Sequence, residues 1–454
     1  MLEINKEVAA IGQEQPTQDR LRGLKRIIPS RTIKSILKRT NQTNYCRRLP
    51  KWFMVWFVIG LGLFATNSYQ QVFRWLRPFE KKQEPGRSTF CESRLRLGVA
   101  PFRLLYEAVV HLLATAHTAH AYYRNMLLMS LDGFVLDLPD RDSLTRIFGK
   151  PQSGRTAGAF PQARVLALCE TGAHVLWRFL IKPIRRSEMS MTPHLLRYLK
   201  PDMLLLWDRA FLSYGNVVMV LHQRAHLLGR VKKNVVTKPI RRLCDGSFLA
   251  KIYPGGWYRE QDRNGVEVRV IEYTFNDPNR PGTGEKHRLL TTLVNPKLDP
   301  AKKLIELYHE RWEEELTIDE LKTHLRERPV LRSETPTGVV QEIYGLLLGH
   351  YVVRKLMFEA SQEAEVPPRN LSFTNTLKIL RCRLPEVPKS RPRQKKWYRN
   401  LLAEIGEQIL EKRRDRINPR VIRRKMSHWD KKRPKHYAFS QPTKNFQRSI
   451  VILN

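Results

Sequence analysis

The sequence has few cysteines, few acidic residues for its length and no long apolar run. Its five cysteines lie far apart without metal-ligand spacing, so reduced thiols in a cytosolic protein are expected. The longest apolar run, positions 52–65, has 14 residues, whereas a membrane helix needs roughly 20. No small-residue cleavage site lies behind it, so it is not a signal peptide. We predict a buried helix there, no membrane partner and a cytoplasmic location.

The scarcity of acids leaves a large surplus of positive charge. Lysine and arginine total 81 against 43 aspartates and glutamates, a formal net charge of +38. A chain this basic repels itself unless a polyanion neutralises it, and nucleic acid is the commonest such partner. A membrane surface is the alternative. The length of 454 residues predicts two to four structural units.

The first part of the chain has short helical patterns and many basic residues. We interpret residues 1–85 as a helical N-terminal DNA-binding domain, with Ser30 predicted to cap one of its helices. Residues 80–88 are rich in charge and contain Pro and Gly, which favours a linker. A helical pattern resumes over residues 100–125.

The residue patterns and the charge of the remaining chain predict a catalytic domain at 95–375 and a basic C-terminal region at 376–454. Within the catalytic domain, short alternating segments punctuated by Gly, Pro and Asn indicate a β-rich insertion at about 235–295. The C-terminal region is expected to be helical and basic, since positions 389–435 contain 18 Lys or Arg against 5 Asp or Glu.

Two aspartates lie in or at the end of apolar strand patterns. Asp132 interrupts the apolar run of residues 126–138, and Asp208 ends the run of residues 202–208. A charge in a buried segment is costly unless a helix terminus, a cation or a metal compensates it. For either residue alone, an ordinary loop or cap position explains it equally well. Hard divalent ions such as Mg²⁺ take carboxylate oxygens as ligands, and two such ions can support phosphoryl transfer.

A long helix is predicted from the Asp299-Pro300 pair to about Arg326. On an ideal helix its residues Tyr308, Arg311, Glu315 and Lys322 fall within an arc of about 60°. A carboxylate between cations suits a metal beside DNA phosphates. The alternative is an exposed helix with salt bridges four residues apart. Asp319 shares the arc and is the best substitute for Glu315.

The spacing Tyr-x2-Arg-x3-Glu-x6-Lys in YHERWEEELTIDELK resembles the signature of bacterial DDE-type insertion-sequence transposases of the "insertion sequence four" group. SLDGFVLDLPD and WDRAFLSY resemble the segments that carry the first two acids of that family. The sequence departs from the family pattern at two positions. Phe134 replaces the usual Thr, and Ala210 replaces the usual Gly.

The resemblance implies an α/β protein with a ribonuclease-H-like catalytic core and a β-rich insertion between the second and third acids. Asp132, Asp208 and Glu315 would be catalytic and hold two Mg²⁺ ions, for which Mn²⁺ can substitute. Tyr308, Arg311 and Lys322 would bind DNA phosphates.

Two more residues are candidates for DNA contacts. Arg209 would either touch a phosphate or pair with the neighbouring Asp208. Trp257 lies in the β-rich insertion, where the resemblance implies that an aromatic residue stacks on a flipped base. An ordinary packed or exposed tryptophan is the alternative for Trp257.

These features predict a transposase that cuts and joins the ends of its own element by metal-dependent cut-and-paste transposition. Its expected partners are the terminal inverted repeats and target DNA, which it would bind as a homodimer. The resemblance implies a hairpin at the cut end. Two alternatives remain: a metal-dependent nuclease on the same core, and a non-enzymatic DNA-binding protein or inactive transposase copy.

Overall fold

The structure, a computed structural model, shows a mixed α/β protein with a large sheet and many helices. The residues that it describes are 20–42, 49–76, 85–153, 156–232, 235–280, 282–388, 390–410, 421–422, 430–431 and 442–453. The expectations for residues 80–84 of the linker and for most of the basic stretch 411–441 fall outside these ranges.

The elements are named in chain order. The helices are α1 (Ser30–Arg39), α2 (Lys51–Leu63), α3 (Tyr69–Leu76), α4 (Arg87–Leu97), α5 (Ala100–Val109), α6 (Asp142–Phe148), α7 (Glu188–Leu196), α8 (Tyr214–His222), α9 (Gly256–Glu260), α10 (Ala301–His309), α11 (Trp312–Asp319), α12 (Pro336–Glu363), α13 (Phe373–Arg383), α14 (Arg391–Gly406) and α15 (Phe446–Ser449). The strands of three or more residues are β1 (Met126–Asp137), β2 (Gln162–Glu170), β3 (Val175–Pro183), β4 (Met203–Trp207), β5 (His226–Arg230), β6 (Phe248–Ile252), β7 (Val266–Phe275), β8 (His287–Thr291) and β9 (Ile450–Ile452).

The chain divides into two compact units. The first unit comprises Met1–Tyr122, Gly133–Met191 and Glu313–Leu410, and the second comprises Tyr123–Asp132, Thr192–Trp312 and Glu411–Asn454. One division point falls inside β1, and another falls inside α11.

The first unit is mainly helical, and the predicted buried helix is confirmed. Residues 53–63 of α2 are all buried, and α2 packs along α12. Among the described residues, no helix is long and apolar enough to cross a membrane. β2 and β3 pair as an antiparallel hairpin, with Glu170 opposite Val175 at its turn.

The second unit contains a mixed sheet in the order β1–β4–β5–β8–β7–β6, with β9 on β7. β1, β4 and β5 are parallel, and the other pairs are antiparallel. β4 is buried along its whole length, which explains its unbroken apolar sequence. β6, β7 and β8 fall in the stretch whose alternating pattern predicts strands.

Three local predictions are wrong. Ser30 does not cap α1, because the N-cap is Pro29 and no side chain accepts a hydrogen bond there. The helix predicted over residues 100–125 ends at Val109. The C-terminal region is not helical throughout, since Ile450–Ile452 forms strand β9 on β7. Apolar β-branched residues at this position favour a strand once a sheet edge is available.

Candidate active site

The two predicted aspartates lie side by side at one edge of the sheet in the second unit. β1 and β4 are neighbouring parallel strands, and Leu131 lies opposite Trp207 in their register. Asp132 and Asp208 come next, so they stand at the same level on strands about 5 Å apart. Both residues are half-buried. The carboxyl ends of parallel strands are where α/β proteins place ligand sites.

The end of β4 is held by a close contact with β5. Trp207 is fully buried, and Gly229 lies opposite it on β5. A Cβ atom on Gly229 would lie 1.9 Å from the Trp207 ring, so only glycine fits. Asp208 then ends the strand by capping the 3-10 turn Arg209–Phe211, where its side chain accepts a hydrogen bond from the backbone N–H of Arg209 at 2.7 Å. The packing of Trp207 therefore fixes the backbone that carries Asp208.

Tyr308 ties α10 to the same strand end. Its side chain is buried, and its hydroxyl donates to the Trp207 carbonyl oxygen at 3.3 Å. Burial raises the pKa of Tyr308, Arg311 lowers it and Asp208 raises it further. The guanidinium carbon of Arg311 lies 6.0 Å from the Tyr308 ring centre. The second unit thus brings Tyr308 and Arg311 to the strand end that carries Asp208.

The other two motif residues belong to the first unit. Glu315 lies half-buried on α11, and Lys322 lies half-buried in the π-helical segment Glu320–Leu325 that follows. Asp319, the predicted substitute for Glu315, is exposed and accepts a hydrogen bond from the Thr323 hydroxyl at 2.6 Å.

The predicted arc of four residues on one straight helix does not hold. α10 ends at His309, and a turn separates it from the start of α11 at Trp312. Beyond α11 the helix widens into the π-helical segment, whose turns hold more residues than an α-helix. The rotation of about 100° per residue is therefore lost at two points between Tyr308 and Lys322.

The two candidate DNA contacts outside the motif are both exposed. Arg209 lies on the 3-10 turn after Asp208. Trp257 lies on α9 with 56% of its surface exposed, and it contacts Tyr258 edge-on with ring centres 5.0 Å apart. The guanidinium carbon of Arg263 lies 6.0 Å from the Trp257 ring centre. An exposed indole beside a guanidinium has a face available for stacking, and its role remains a prediction.

Sequence reasoning missed a buried ion network around the π-helical segment of the first unit. Glu320 pairs with Arg354, and His350 Nε2 lies 3.1 Å from its carboxylate. His174 lies between Glu320 and Glu313, with ring nitrogens 3.2 and 2.9 Å from their oxygens. Burial alone would raise the pKa of Glu320, but Arg354 and His174 outweigh it and hold that pKa well below its usual value.

The sequence carries one sign of this network. His350 and Arg354 interrupt the apolar pattern of α12, and buried polar groups need partners. Glu320 resembles the other acids around it in the sequence, and these partners lie 30 and 34 positions away along the chain. A pairing over that separation depends on tertiary structure and cannot be read from spacing.

A second carboxylate that sequence reasoning missed packs against the residue after Asp132. A Cβ atom on Gly133 would lie 2.5 Å from Glu188 Oε1, so any other residue at this position would require the Glu188 side chain to move. Arg164 Nη1 pairs with the same oxygen at 2.5 Å. The Asp-Gly pair therefore combines a candidate ligand with a close approach of backbone and side chain.

The two neighbouring aspartates fit a hard divalent ion, because carboxylate oxygens are its preferred ligands. In the part of the chain that the structure describes, no group of three or more His, Cys, Asp or Glu side chains is arranged to hold a metal. Of the three predicted metal ligands, Asp132 and Asp208 both belong to the second unit, where they lie on or next to neighbouring strands.

Comparison with known proteins agrees with the motif. The model described as insertion element 4 transposase N-terminal matches residues 18–107, and the transposase DDE domain matches residues 126–351. The chain is 26% identical over 392 residues to the Escherichia coli transposase InsG for insertion sequence element IS4, covering 83% of this chain and 86% of that protein. It is 25% identical over 203 residues to the putative transposase InsZ of Escherichia coli, covering 43% and 66%.

Among solved structures, the chain is similar to the piggyBac transposase in a cryo-EM synaptic complex with hairpin DNA. The match has a TM-score of 0.40 and 13% identity, and it covers 85% of each chain.

Proposed function

This chain belongs to the DDE transposases of the insertion element 4 family and is a DNA transposase, an enzyme that cuts and joins DNA; from that premise we propose that it moves its own element by cut-and-paste transposition. It recognises the inverted repeats at the element's ends, cuts the DNA there through a hairpin and joins the freed 3′-hydroxyls to target DNA. The observation that carries this proposal is the pair Asp132 and Asp208, at the same level on neighbouring parallel strands.

Asp132, Asp208 and Glu315 are the proposed metal ligands. Transposases with a DDE domain depend on divalent metal ions, and we propose two Mg²⁺ ions here, with Mn²⁺ able to substitute. Bound ions of this kind activate the attacking oxygen and neutralise the leaving one. The protein fixes the positions of the two aspartates. Asp208 is held because it caps the 3-10 turn and follows the packed Trp207, and Asp132 is held by the pairing of β1 with β4.

The cations near these acids are proposed to bind DNA phosphates. Tyr308 is buried with a raised pKa, so it stays neutral and does not repel a phosphate. Its hydroxyl anchors α10 on Trp207, and Arg311 beside it supplies a guanidinium for a phosphate near Asp208. Lys322 and the exposed Arg209 are proposed to bind further phosphates, and Trp257 is proposed to stack on a base.

We propose a ribonuclease-H-like topology for the core. Its support is that parallel strands β1 and β4 carry the first two acids, and that the hairpin β2–β3 follows β1 along the chain. β6, β7 and β8 lie between the second and third acids, as an insertion would. Two copies are proposed to act as a homodimer in the cytoplasm, one at each end of the element.

A nicking assay tests the ligand assignment. The substrate is a supercoiled plasmid carrying the element's inverted repeats, incubated with Mg²⁺ or Mn²⁺. Asp132→Asn and Asp208→Asn should each lower nicking by about 10³-fold or more while end binding stays unchanged. Glu92→Gln, which changes an exposed acid on α4, is the matched control and should nick as the parent does. Parent-like nicking by either aspartate variant rejects the assignment.

A strand-transfer assay with pre-cut ends tests the joining step. The parent protein should join these 3′-hydroxyl ends to a target plasmid in the presence of metal. A nuclease on the same core would cut and not join. A DNA-binding protein without activity would bind the ends, and metal would add no product.

A further inference from the structure

Two adjoining cavities of the first unit are lined by arginines. Their volumes are about 420 and 340 Å³, and both are lined by Tyr69, Arg87 and Arg332. Among the described lining residues, Glu334 is the one acid. We name the two cavities the arginine groove after five of their lining residues: Arg87, Arg94, Arg141, Arg328 and Arg332.

The inner arginines are fixed by the protein itself. Arg94 is buried and donates to the Gly338 carbonyl at 2.7 Å and to Ser333 Oγ at 3.1 Å. Arg332 donates to the carbonyls of Ala65 at 2.6 Å and Asn67 at 2.7 Å. These bonds hold two guanidiniums at the base of the groove in one geometry. Glu342 lies 3.5 Å from Arg332 Nε and offsets part of their positive charge.

The outer arginines share a single carboxylate. Arg87 Nη2 lies 2.8 Å from Glu334 Oε1, and Arg141 Nη2 lies 2.8 Å from Glu334 Oε2. The two arginine side chains are 65% and 58% exposed. Ion pairs this exposed contribute about 0–1 kcal/mol, so another anion can replace the carboxylate. Guanidiniums bind the oxygens of a phosphate through the same forked N–H groups with which they bind a carboxylate.

We propose that the arginine groove binds the phosphate backbone of DNA, and that the Glu334 carboxylate occupies the phosphate position in the free protein. When DNA binds, a backbone phosphate replaces Glu334 between Arg87 and Arg141. The exposed Arg328, which donates to the Thr66 carbonyl at 2.8 Å, lies along the second cavity and contacts a further phosphate. The proposal rests on the proposed function for the identity of the polyanion.

DNA fits the groove better than a single small anion does. Two cavities side by side offer room for more than one phosphate group, whereas a single inorganic phosphate would occupy only one of them. The net charge of +38 also requires a polyanion with many charges. The Glu334 carboxylate makes binding competitive, which allows the groove to release DNA as well as to hold it.

The first test removes the outer cations. Binding of the full-length protein to a mixed-sequence 30-bp duplex is measured against salt concentration without divalent metal. The Arg87→Gln/Arg141→Gln variant should bind about 10- to 100-fold more weakly, and its salt slope should fall by about 2. Arg96→Gln is the matched control, since Arg96 lies on the same helix α4 and is equally exposed at 66%. Arg96→Gln should leave the slope unchanged.

The second test removes the competing carboxylate. Glu334→Gln should tighten binding of the same duplex by about 2- to 5-fold, because the phosphate no longer displaces a negative charge. Glu92→Gln removes an equally charged exposed residue on α4 and should leave the affinity unchanged. Equal tightening by both variants would mean that only net charge matters and would overturn the role of Glu334.

Two further measurements complete the design. If the Arg87→Gln/Arg141→Gln variant binds with the parent's affinity and salt slope, the proposal that the arginine groove binds DNA is overturned. Competition of inorganic phosphate or of a poly-glutamate peptide with DNA at equal charge concentration would show a general anion site and would also overturn it. Asp208→Asn should bind the duplex with the parent's affinity and salt slope and not nick, whereas the arginine-pair variant should lose affinity and salt slope in the absence of divalent metal. Failure of the groove and failure of the catalytic assignment are therefore distinguishable.

Discussion

The carboxylate of Glu320 in the first unit and the carboxylates of Asp132 and Asp208 in the second unit differ in burial. Glu320 is buried among Arg354, His174 and His350, and these groups lower its pKa although burial alone would raise it. Asp132 is half-buried within β1, and Asp208 is half-buried directly after the end of β4.

The difference separates two uses of an acidic side chain. A carboxylate that the protein surrounds with its own cations is charge-balanced and contributes to folding. A half-buried carboxylate is accessible to a ligand from outside, such as a divalent ion. Burial therefore distinguishes the two kinds of acid better than position in a motif does. The following variants test this comparison through the free energy of unfolding.

Glu320→Leu should have the largest effect. The variant leaves Arg354 buried without its carboxylate, so we expect a loss of about 3–5 kcal/mol. The double variant Glu320→Leu/Arg354→Met removes both charges and should recover most of that loss. Urea unfolding followed by circular dichroism measures both. A single variant that unfolds like the parent would show that the network is not the charge-balanced system described.

Glu170 tests a buried acid whose pKa moves in the opposite direction. Burial raises its pKa to about 7, although the backbone N–H groups of Leu113 and Ala114 lower it. Between the unfolded value of 4.5 and about 7, the folded protein binds the extra proton. Stability from this group is therefore complete below pH 4.5 and is lost as the pH rises through 7, by about 3 kcal/mol.

Urea titrations at pH 5 and pH 8 measure this effect. Glu170→Gln should remove this part of the pH dependence. Glu107→Gln, at an exposed position of α5, should leave it in place. If the free energy of unfolding depends on pH equally in the parent and in Glu170→Gln, the claim that folded Glu170 binds the extra proton is contradicted.

Gly229→Ala tests the packing that supports Asp208. The new methyl group overlaps the Trp207 ring, so we expect a loss of about 1–3 kcal/mol and weaker DNA nicking. Gly215→Ala on α8 is the matched control, because a Cβ there meets no atom within 4 Å. If both variants unfold alike, the contact between β4 and β5 does not constrain the strand end.

Asp208→Asn should have the smallest effect on stability. Asparagine also accepts a hydrogen bond as a cap, and the side chain is half-buried, so we expect a change below about 0.5 kcal/mol. A loss as large as that of Glu320→Leu would remove the distinction between the two kinds of acid. Thermal and urea unfolding of the same preparations used for nicking provide the comparison.

Local sequence patterns predicted the strands and the helix that carry the candidate active site. Apolar runs that contain or end in an acid located Asp132 and Asp208 on strands, because a buried strand needs apolar side chains on both faces. The Asp299-Pro300 pair predicted the start of α10 for a similarly local reason, the fixed φ of proline.

Long-range contacts explain what the sequence did not predict. The π-helical segment Glu320–Leu325 coincides with a buried network whose members come from distant parts of the chain. The predicted helix over residues 100–125 ends at Val109, and the backbone N–H groups of Leu113 and Ala114 instead donate to Glu170. Neither pairing changes the local periodicity, so helical spacing alone gave a straight helix in both places.

Strand β9 has a practical consequence for anyone who shortens or tags this chain. Its residues Ile450–Ile452 pair with Tyr273–Phe275 of β7, and Phe446 packs on the same apolar cluster. Deleting residues 446–453 would leave the backbone of that part of β7 open and its aromatic side chains uncovered, and open strand edges recruit other chains into aggregates. An affinity tag is better attached through a spacer that leaves this segment in place.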